Sequence, residues 1–503
     1  MINCAAKSGS EPVSTKDTGA TPAYTVEEKP LGTPRPIRVI AIGAGVYARA
    51  PEILEYFRNV VRKYELYRYI KLSHRVVNAE WNDDKSIWQL RIEESTTGVI
   101  FEDSYDFMIS ASGILNNWRW PDIPGLHSFQ GQLVHSAAWD TNIDWRGKKV
   151  AVLGCGSSGV QIVPTMQPEV EHLTTFIRTP TWITAGFAQS KAGPGGANFE
   201  FSDEQKKKFQ RDPEAYLQYR KDIERELNTR FKFIIKDSPE QAAAVRFSIN
   251  EMKHKLGEDP PLLKYMIPSF AVGCRRPTPS NGYLESLTKD NVRVVTSNIT
   301  EIVPDGIKLT TGEVISVDIF VCATGFDISF RPPYPVIGLN GITLAEQWKV
   351  KPDKYAVFLG PGAPIGHGSV LPITEHATKY ILRMIHKFQT QDIKSVNVSQ
   401  EAADDFNEHI QEFMKRTAWS THCRSWFKNG TVDGPIVALH PGSRIHWFHM
   451  LNEPRYEDFI WRRQRANRFL YLGNGFSMKE VEGKDTSYYF NNPESGFEFV
   501  GTL

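Results

Sequence analysis

Lys149-Val150-Ala151-Val152-Leu153-Gly154-Cys155-Gly156-Ser157-Ser158-Gly159 is the stretch from which the fold is read. A short apolar run ends in G-x-G-x-x-G and gives way to a helical pattern through Gln161 and Val163. In that strand–turn–helix context the motif signals a dinucleotide-binding turn. Gly154 permits the tight turn, Gly156 lets a pyrophosphate approach the backbone, and Gly159 allows the helix to pack closely on the strand. The helix start, with Ser157 and Ser158 before it and Gln161 in its first turn, offers free N–H groups and a positive dipole end to phosphate. About 20 residues on, an NAD-binding unit places an acid against the ribose 2′-hydroxyl. Here the second strand-like run, His172 to Ile177, ends instead in Arg178-Thr179. A guanidinium at that place can hold a 2′-phosphate bidentately, so NADPH is expected over NADH. An incidental surface arginine after a structural turn is the plainer alternative, and the context weighs against it.

Working outward, a second glycine turn lies upstream. The run Ile37 to Ile42 ends in Gly43-Ala44-Gly45, and Gly43–Ala48 formally fits G-x-G-x-x-A. A phosphate-binding helix should start at once, yet Pro51 sits where its interior would be, removing a donor and clashing one turn back. The helical pattern runs from Pro51 to Glu65, with Ile53, Leu54, Phe57, Val60, Val61 and Tyr64 on one face. Glu65 therefore ends a helix and does not sit at a strand end as a ribose-binding acid would. This β-α-β unit is started and not completed; taken alone, its glycines fit a structural turn as well as a nucleotide site. Strand-like segments follow around 70–79, 87–92 and 105–111, residues 190–265 read as charged and mostly helical, and Asp318 to Ala323 forms a third strand-like run. Residues 1–34 are rich in Ser, Thr, Pro and Gly and read as a disordered lead-in. Strands alternating with helices and ending in glycine turns indicate an α/β chain with parallel sheets.

Composition excludes several classes. The 503 residues are 41% hydrophobic and 23% charged, an ordinary globular balance. Lys plus Arg number 59 against 58 Asp plus Glu, a net charge of +1, which argues against nucleic acid or an anionic membrane as partner. No apolar run reaches the ~18 residues of a transmembrane segment, and the first residues have neither the basic nor the apolar part of a secretory signal. The five cysteines (Cys4, Cys155, Cys274, Cys322 and Cys423) are scattered and form no CxxC. That pattern argues against a disulfide framework or a zinc site and for a reducing, cytoplasmic location. No metal site is expected.

Phe129-x-Gly131-x-x-x-His135-x-x-x-Trp139-Asp140 matches the FxGxxxHxxxW(P/D) fingerprint of Baeyer–Villiger monooxygenases. With Asp122-Ile123-Pro124-Gly125 before it, the chain resembles the class B flavoprotein monooxygenases. Cys274-Arg275-Arg276-Pro277, Ala323-Thr324-Gly325-Phe326-Asp327, Gly366-His367-Gly368-Ser369 and His440-Pro441-Gly442-Ser443 extend the match to the C-terminal part. Thr417-Ala418-Trp419-Ser420 and Pro454-Arg455-x-Glu457-Asp458-Phe459 are most similar to fungal enzymes of aromatic polyketide pathways of the aflatoxin and sterigmatocystin type. In the family, several dozen residues separate the first glycine turn from the stretch resembling Val46 to Ile53; here Gly45 joins it directly. That is the break that Pro51 marks on physical grounds.

The resemblance implies two doubly wound, Rossmann-like nucleotide domains, the NADPH domain inserted in a truncated FAD domain, with a helical C-terminal segment. The boundaries expected are 35–144 and 301–503 for the FAD and substrate side, and 145–300 for the NADPH side. FAD and NADPH are the implied cofactors, and a ketone and O2 the implied small-molecule partners. Gly43, Ala44, Gly45 and Val77 would meet FAD. Gly154, Gly156, Ser157, Ser158, Gly159, Gln161, Arg178, Thr179 and Arg275 would meet NADPH. Arg276 would be the catalytic cation, since charge developing on attacked ketone calls for a fixed positive group in a dry site. His135 and Trp139 would shape the interdomain linker, and Asp327 would form a turn. Two other readings stand beside this one: a heteroatom-oxidising flavin monooxygenase, and a catalytically impaired NADPH-binding protein lacking a full FAD site.

Overall fold

The structure is a computed structural model that describes residues 39–42, 50–113, 115–184, 189–193, 199, 201–257, 260–279, 282–349, 362–366 and 368–490. The lead-in expected over 1–34 and the turn residues Gly43, Ala44 and Gly45 lie outside them.

The central element is a five-stranded, all-parallel sheet ordered Val292–Val295, His172–Phe176, Lys149–Leu153, Ile319–Cys322, Gln132–His135. Strand pleating divides its side chains between two layers. Val150, Val152, Ile319 and Val321 face a helical layer that includes Val160, Val163, Met166, Met252 and Leu256. Ala151, Phe320 and Cys322 face the antiparallel strands Ile299–Val303, Gly306–Leu309 and Val314–Ser316 through Ile302, Ile307 and Leu309. Two of the sheet's five strands, 132–135 and 319–322, come from outside the 145–300 stretch expected to form this domain. Gln132-Leu133-Val134-His135 is too short and mixed in polarity to announce itself. Ile319–Cys322 is buried throughout, and lies between two parallel neighbours in register with Leu153 and His135.

The upstream unit is smaller. Val39–Ile42 pairs in parallel with Phe107–Ser110, and these are the two described strands of their sheet. The helix expected after the break forms at Ala50–Lys63, with Pro51 in its first turn, where a missing N–H costs nothing. Leu54, Tyr56 and Tyr64 on and just past this helix are at least half exposed. A separate sheet, Val336–Ile337, His74–Asn82, Ile87–Glu94 and Val99–Tyr105, encloses Val76, Ala79, Leu90 and Ile92. The sequence pattern locates its second and third strands but misses Val99–Tyr105, whose residues are mostly exposed or half-buried.

The 190–265 stretch folds as helices Asp203–Arg211, Pro213–Thr229, Pro239–Leu256 and Pro260–Met266. Ser202, Asp212 and Ser238 cap the first three by accepting from the N–H groups of Gln205, Ala215 and Gln241. The C-terminal part packs Val370–Thr390, Gln400–Met414 and Arg444–Leu451 beside the antiparallel pair Ile393–Val398 and Phe459–Arg463. Buried Arg444 ties this part to the helical stretch by pairing with Glu224 and donating to Asn228.

Candidate nucleotide and active site

The three glycines of the intact turn meet three different surroundings. Gly154 has φ +115°, a conformation that L side chains rarely adopt, and an added Cβ would lie 2.6 Å from the Ala323 carbonyl oxygen. At Gly159 the same atom would stand 1.9 Å from the oxygen of Gly154. At Gly156 it would meet nothing within 4 Å. Two glycines are thus needed by the protein itself, while the third leaves an open approach to its backbone. The helix Gly159–Met166 follows at once, and the N–H groups of Val160, Gln161 and Ile162 turn back to the carbonyls of Gly156 and Ser158. Gln161 Nε2 donates to the Ser157 carbonyl at 2.5 Å, and Ser158 precedes the helix without a side-chain cap.

Arg178 and Thr179, both exposed, follow the neighbouring strand His172–Phe176. The Cys155 thiol donates to the Thr179 carbonyl at 3.3 Å, tying that strand end to the glycine turn. Burial pushes the Cys155 thiol up, and the charges of Arg275 and Arg178 oppose the shift. Arg275 comes from a distant loop, half-buried, its guanidinium 5.3 Å from the Phe270 ring centroid and its buried Nε without a partner. Burial lowers its pKa; Cys155 opposes this, while Arg178 and Arg424 add to it by like-charge repulsion. Arg276 is also half-buried, and burial lowers its pKa.

The loop before these arginines is firmly held. Trp182 Nε1 donates to the Phe270 carbonyl at 2.9 Å. The Gln241 amide both donates to the Val272 carbonyl and accepts from its N–H. The glycine turn, Arg178, Thr179 and Arg275 are therefore brought together, with Arg276 next in the chain. Val77 lies elsewhere, half-buried at an irregularity between Val76 and Asn78 in the four-stranded sheet.

The fingerprint residues hold the sheet together. A Cβ at Gly131 would lie 2.4 Å from the Asp318 carbonyl. His135 is buried and stacked on Trp118 with ring centroids 4.3 Å apart. Its Nδ1 accepts from the Ala137 N–H at 3.1 Å, so Nε2 carries the proton and donates to Thr324 Oγ1 at 3.2 Å. Burial lowers the His135 pKa. Trp139 packs edge-on to Trp145 at the border of the helical layer. Asp327 accepts from the Ser329 N–H at 2.8 Å, as a turn-forming acid does.

A family model described as flavin-binding monooxygenase-like matches residues 45–237. An FAD-binding monooxygenase of Aspergillus terreus, tazF, is 38% identical over 458 residues, covering 88% of this chain and 81% of that one. The chain belongs to the flavin-binding monooxygenase family. A Baeyer–Villiger monooxygenase of Pseudomonas aeruginosa is 29% identical over 414 residues, covering 79% of this chain and 75% of its own length. The closed crystal structure of cyclohexanone monooxygenase superposes with a TM-score of 0.70 at 24% identity, covering 82% of this chain and 84% of that one, a likeness of fold.

The cysteine pattern is corrected in this monooxygenase. Cys274 and Cys423, 149 residues apart, form a disulfide, while Cys155 and Cys322 are free. Spacing carries no signal for such a bond, because the folded chain alone brings the two residues together. It also brings Arg424 and buried Lys428 to the Arg275 loop. Neither was a sequence candidate, since surface-type cations in a C-terminal stretch show no motif. Among the described residues no group of His, Cys, Asp and Glu could hold a metal, and no helix is long and apolar enough to cross a membrane.

Proposed function

We propose that this monooxygenase is FAD- and NADPH-dependent, of the Baeyer–Villiger type, and acts in the cytoplasm on a ketone of a fungal aromatic polyketide. The observation that carries the reading is Arg275. A buried guanidinium nitrogen without a partner, beside Arg178 and an open glycine turn, is a donor waiting for an anion. The 2′-phosphate and pyrophosphate of NADPH fit that donor set. The polyketide-type segments of the sequence support the substrate class.

When bound, the two cofactors supply the hydride and the activation of O2. The residues of the chain bind and orient. Backbone N–H groups of the turn at residues 156–159 would receive the pyrophosphate, and Arg178 and Arg275 would hold the 2′-phosphate. Arg276 stabilises negative charge on the ketone oxygen as the carbonyl is attacked. Its half-burial strengthens that interaction by excluding water, and an arginine stays charged even there. Ketone-dependent NADPH consumption by the FAD-loaded chain, with oxygen inserted into a C–C bond, tests the proposal. An N- or S-oxide in place of an ester or lactone supports the heteroatom-oxidising alternative.

A second reading, a NADPH-binding chain with little flavin, is favoured by the upstream unit. Val39–Ile42 has one described partner strand, and apolar side chains at the following helix stand exposed. Flavin absorbance of the purified 503-residue chain separates the two: a stoichiometrically yellow protein excludes this second reading.

A further inference from the structure

The disulfide links two arginine segments. Cys274 immediately precedes Arg275-Arg276, Cys423 immediately precedes Arg424, and the two Cα atoms are 6.3 Å apart. Arg178, Arg275 and Arg424 form no ion pair with any described acid, although Arg275 feels the charge of both others. Three guanidiniums gathered without a counter-charge repel one another, so the arrangement is favoured only when an anion joins it. Arg424 is exposed, and its Nε is held by the Gly430 carbonyl at 2.7 Å.

The surroundings of the bond suit both of its redox states. Cys274 and Cys423 are both buried, at 0% and 3% exposure, and Cys423 is flanked by exposed His422 and Arg424. Cys274 Sγ lies 3.0 Å from the Thr421 carbonyl, which a bridged sulfur, having no proton, cannot use and a thiol can. Lys428, 1% exposed, donates to the carbonyls of Thr421 at 2.7 Å and Val432 at 2.5 Å, with its Nζ 3.9 Å from the same sulfur. A thiolate at Cys274 therefore finds an ammonium already in place.

We propose that the Cys274–Cys423 bond is a redox-controlled tie that holds Arg424 beside Arg275 and Arg178, completing a three-guanidinium cradle for the 2′-phosphate of NADPH. Its opening by a dithiol is balanced. A dithiol thiolate attacks Cys423 Sγ; the S–S bond breaks and Cys274 leaves as thiolate beside Lys428. The second dithiol sulfur then displaces Cys423, so two electrons reduce the bridge while the dithiol becomes a disulfide. The loop around residues 422–424 is then released and the third guanidinium is lost from the cradle.

The proposal rests on the NADPH reading above, and the test separates the two. NADP+ and NAD+ binding are titrated on the full chain, untreated and after dithiothreitol, with the bridge followed by mass spectrometry of a non-reduced digest. Reduction should weaken NADP+ binding by about tenfold, the scale of one hydrogen bond to a charged group, and leave NAD+ unchanged. Cys423→Ser should show the weakened value without reductant and no further response. Arg424→Ala, with the bridge intact, should show the same loss. Absence of the 274–423 cross-linked peptide, or equal NADP+ affinity in both redox states, overturns the tie. Failure of NADP+ to bind more tightly than NAD+ in any state overturns the NADPH reading as well.

Discussion

Alanine placed at each glycine of the intact turn should give three distinguishable outcomes. At Gly159 the new Cβ would stand 1.9 Å from the Gly154 oxygen, about 1.5 Å inside ordinary contact. Backbone faces backbone there, so no rotamer change relieves it, and the helix must move off the strand. Overpacking of this kind costs about 1–3 kcal/mol, or roughly 2–4 °C per kcal/mol for a domain of this size. Gly154→Ala adds the φ +115° conformation to a 2.6 Å approach to Ala323 and should cost at least as much. Gly156→Ala meets nothing within 4 Å, so its thermal midpoint should match the parent. Its methyl group would instead occupy the space a pyrophosphate needs, and NADP+ affinity should fall at least tenfold, about 1.4 kcal/mol. Thermal unfolding and NADP+ titration on the three variants provide the assay. A Gly156→Ala chain that binds NADP+ like the parent, or a Gly159→Ala chain of parental stability, refutes the reasoning.

Three further outcomes follow from the site. Arg178→Ala should weaken NADP+ binding by about 1.5–3 kcal/mol, the scale of a hydrogen bond to a charged group, and leave NAD+ nearly unchanged; isothermal titration with both nucleotides measures the difference. In the FAD-loaded chain, Arg276→Ala should slow ketone oxygenation while NADPH consumption continues, and oxygenation at the parental rate would return the arginine pair to a structural role. His135 has a folded-state pKa below the ordinary 6.5, so between the two values the unfolded chain binds the extra proton. Stability should therefore be full above pH 6.5 and fall as the pH drops through it; His135→Asn should flatten that acid limb in thermal melts between pH 5 and 7.5.

The legible part of this protein was the part written locally. A five-residue strand, three spaced glycines and a second strand ending in Arg178 fix one another within some 30 residues, and the folded turn uses each glycine as its chemistry requires. The helix start beside Pro51 was equally local, because a proline is compatible with the first turn of a helix begun at Ala50. What escaped were pairings over long separations. Gln132–His135 joins the sheet only through Ile319–Cys322, nearly 190 residues away. Cys274 finds Cys423 only after the C-terminal part has docked. Arg424 gained its place from that bond and from no motif of its own.

The two nucleotide units differ in how much of their stability is internal. The five-stranded sheet is covered on both faces, by helices on one side and an antiparallel sheet on the other, and the glycine turn sits on its central strand. Its two buried clusters include none of Phe107–Ser110. Val39–Ile42 by contrast has a single described partner strand, and Phe107 beside it contacts Phe388 of the C-terminal helix at 4.6 Å between ring centroids. With a single described partner strand, this pair should open at less free energy than the five-stranded sheet. Amide exchange should then show slow protons at 150–153 and 319–322 and fast ones at 107–110, in the presence or absence of NADP+. Equal protection of both sheets would mean that the upstream unit is stabilised by contacts beyond the described residues.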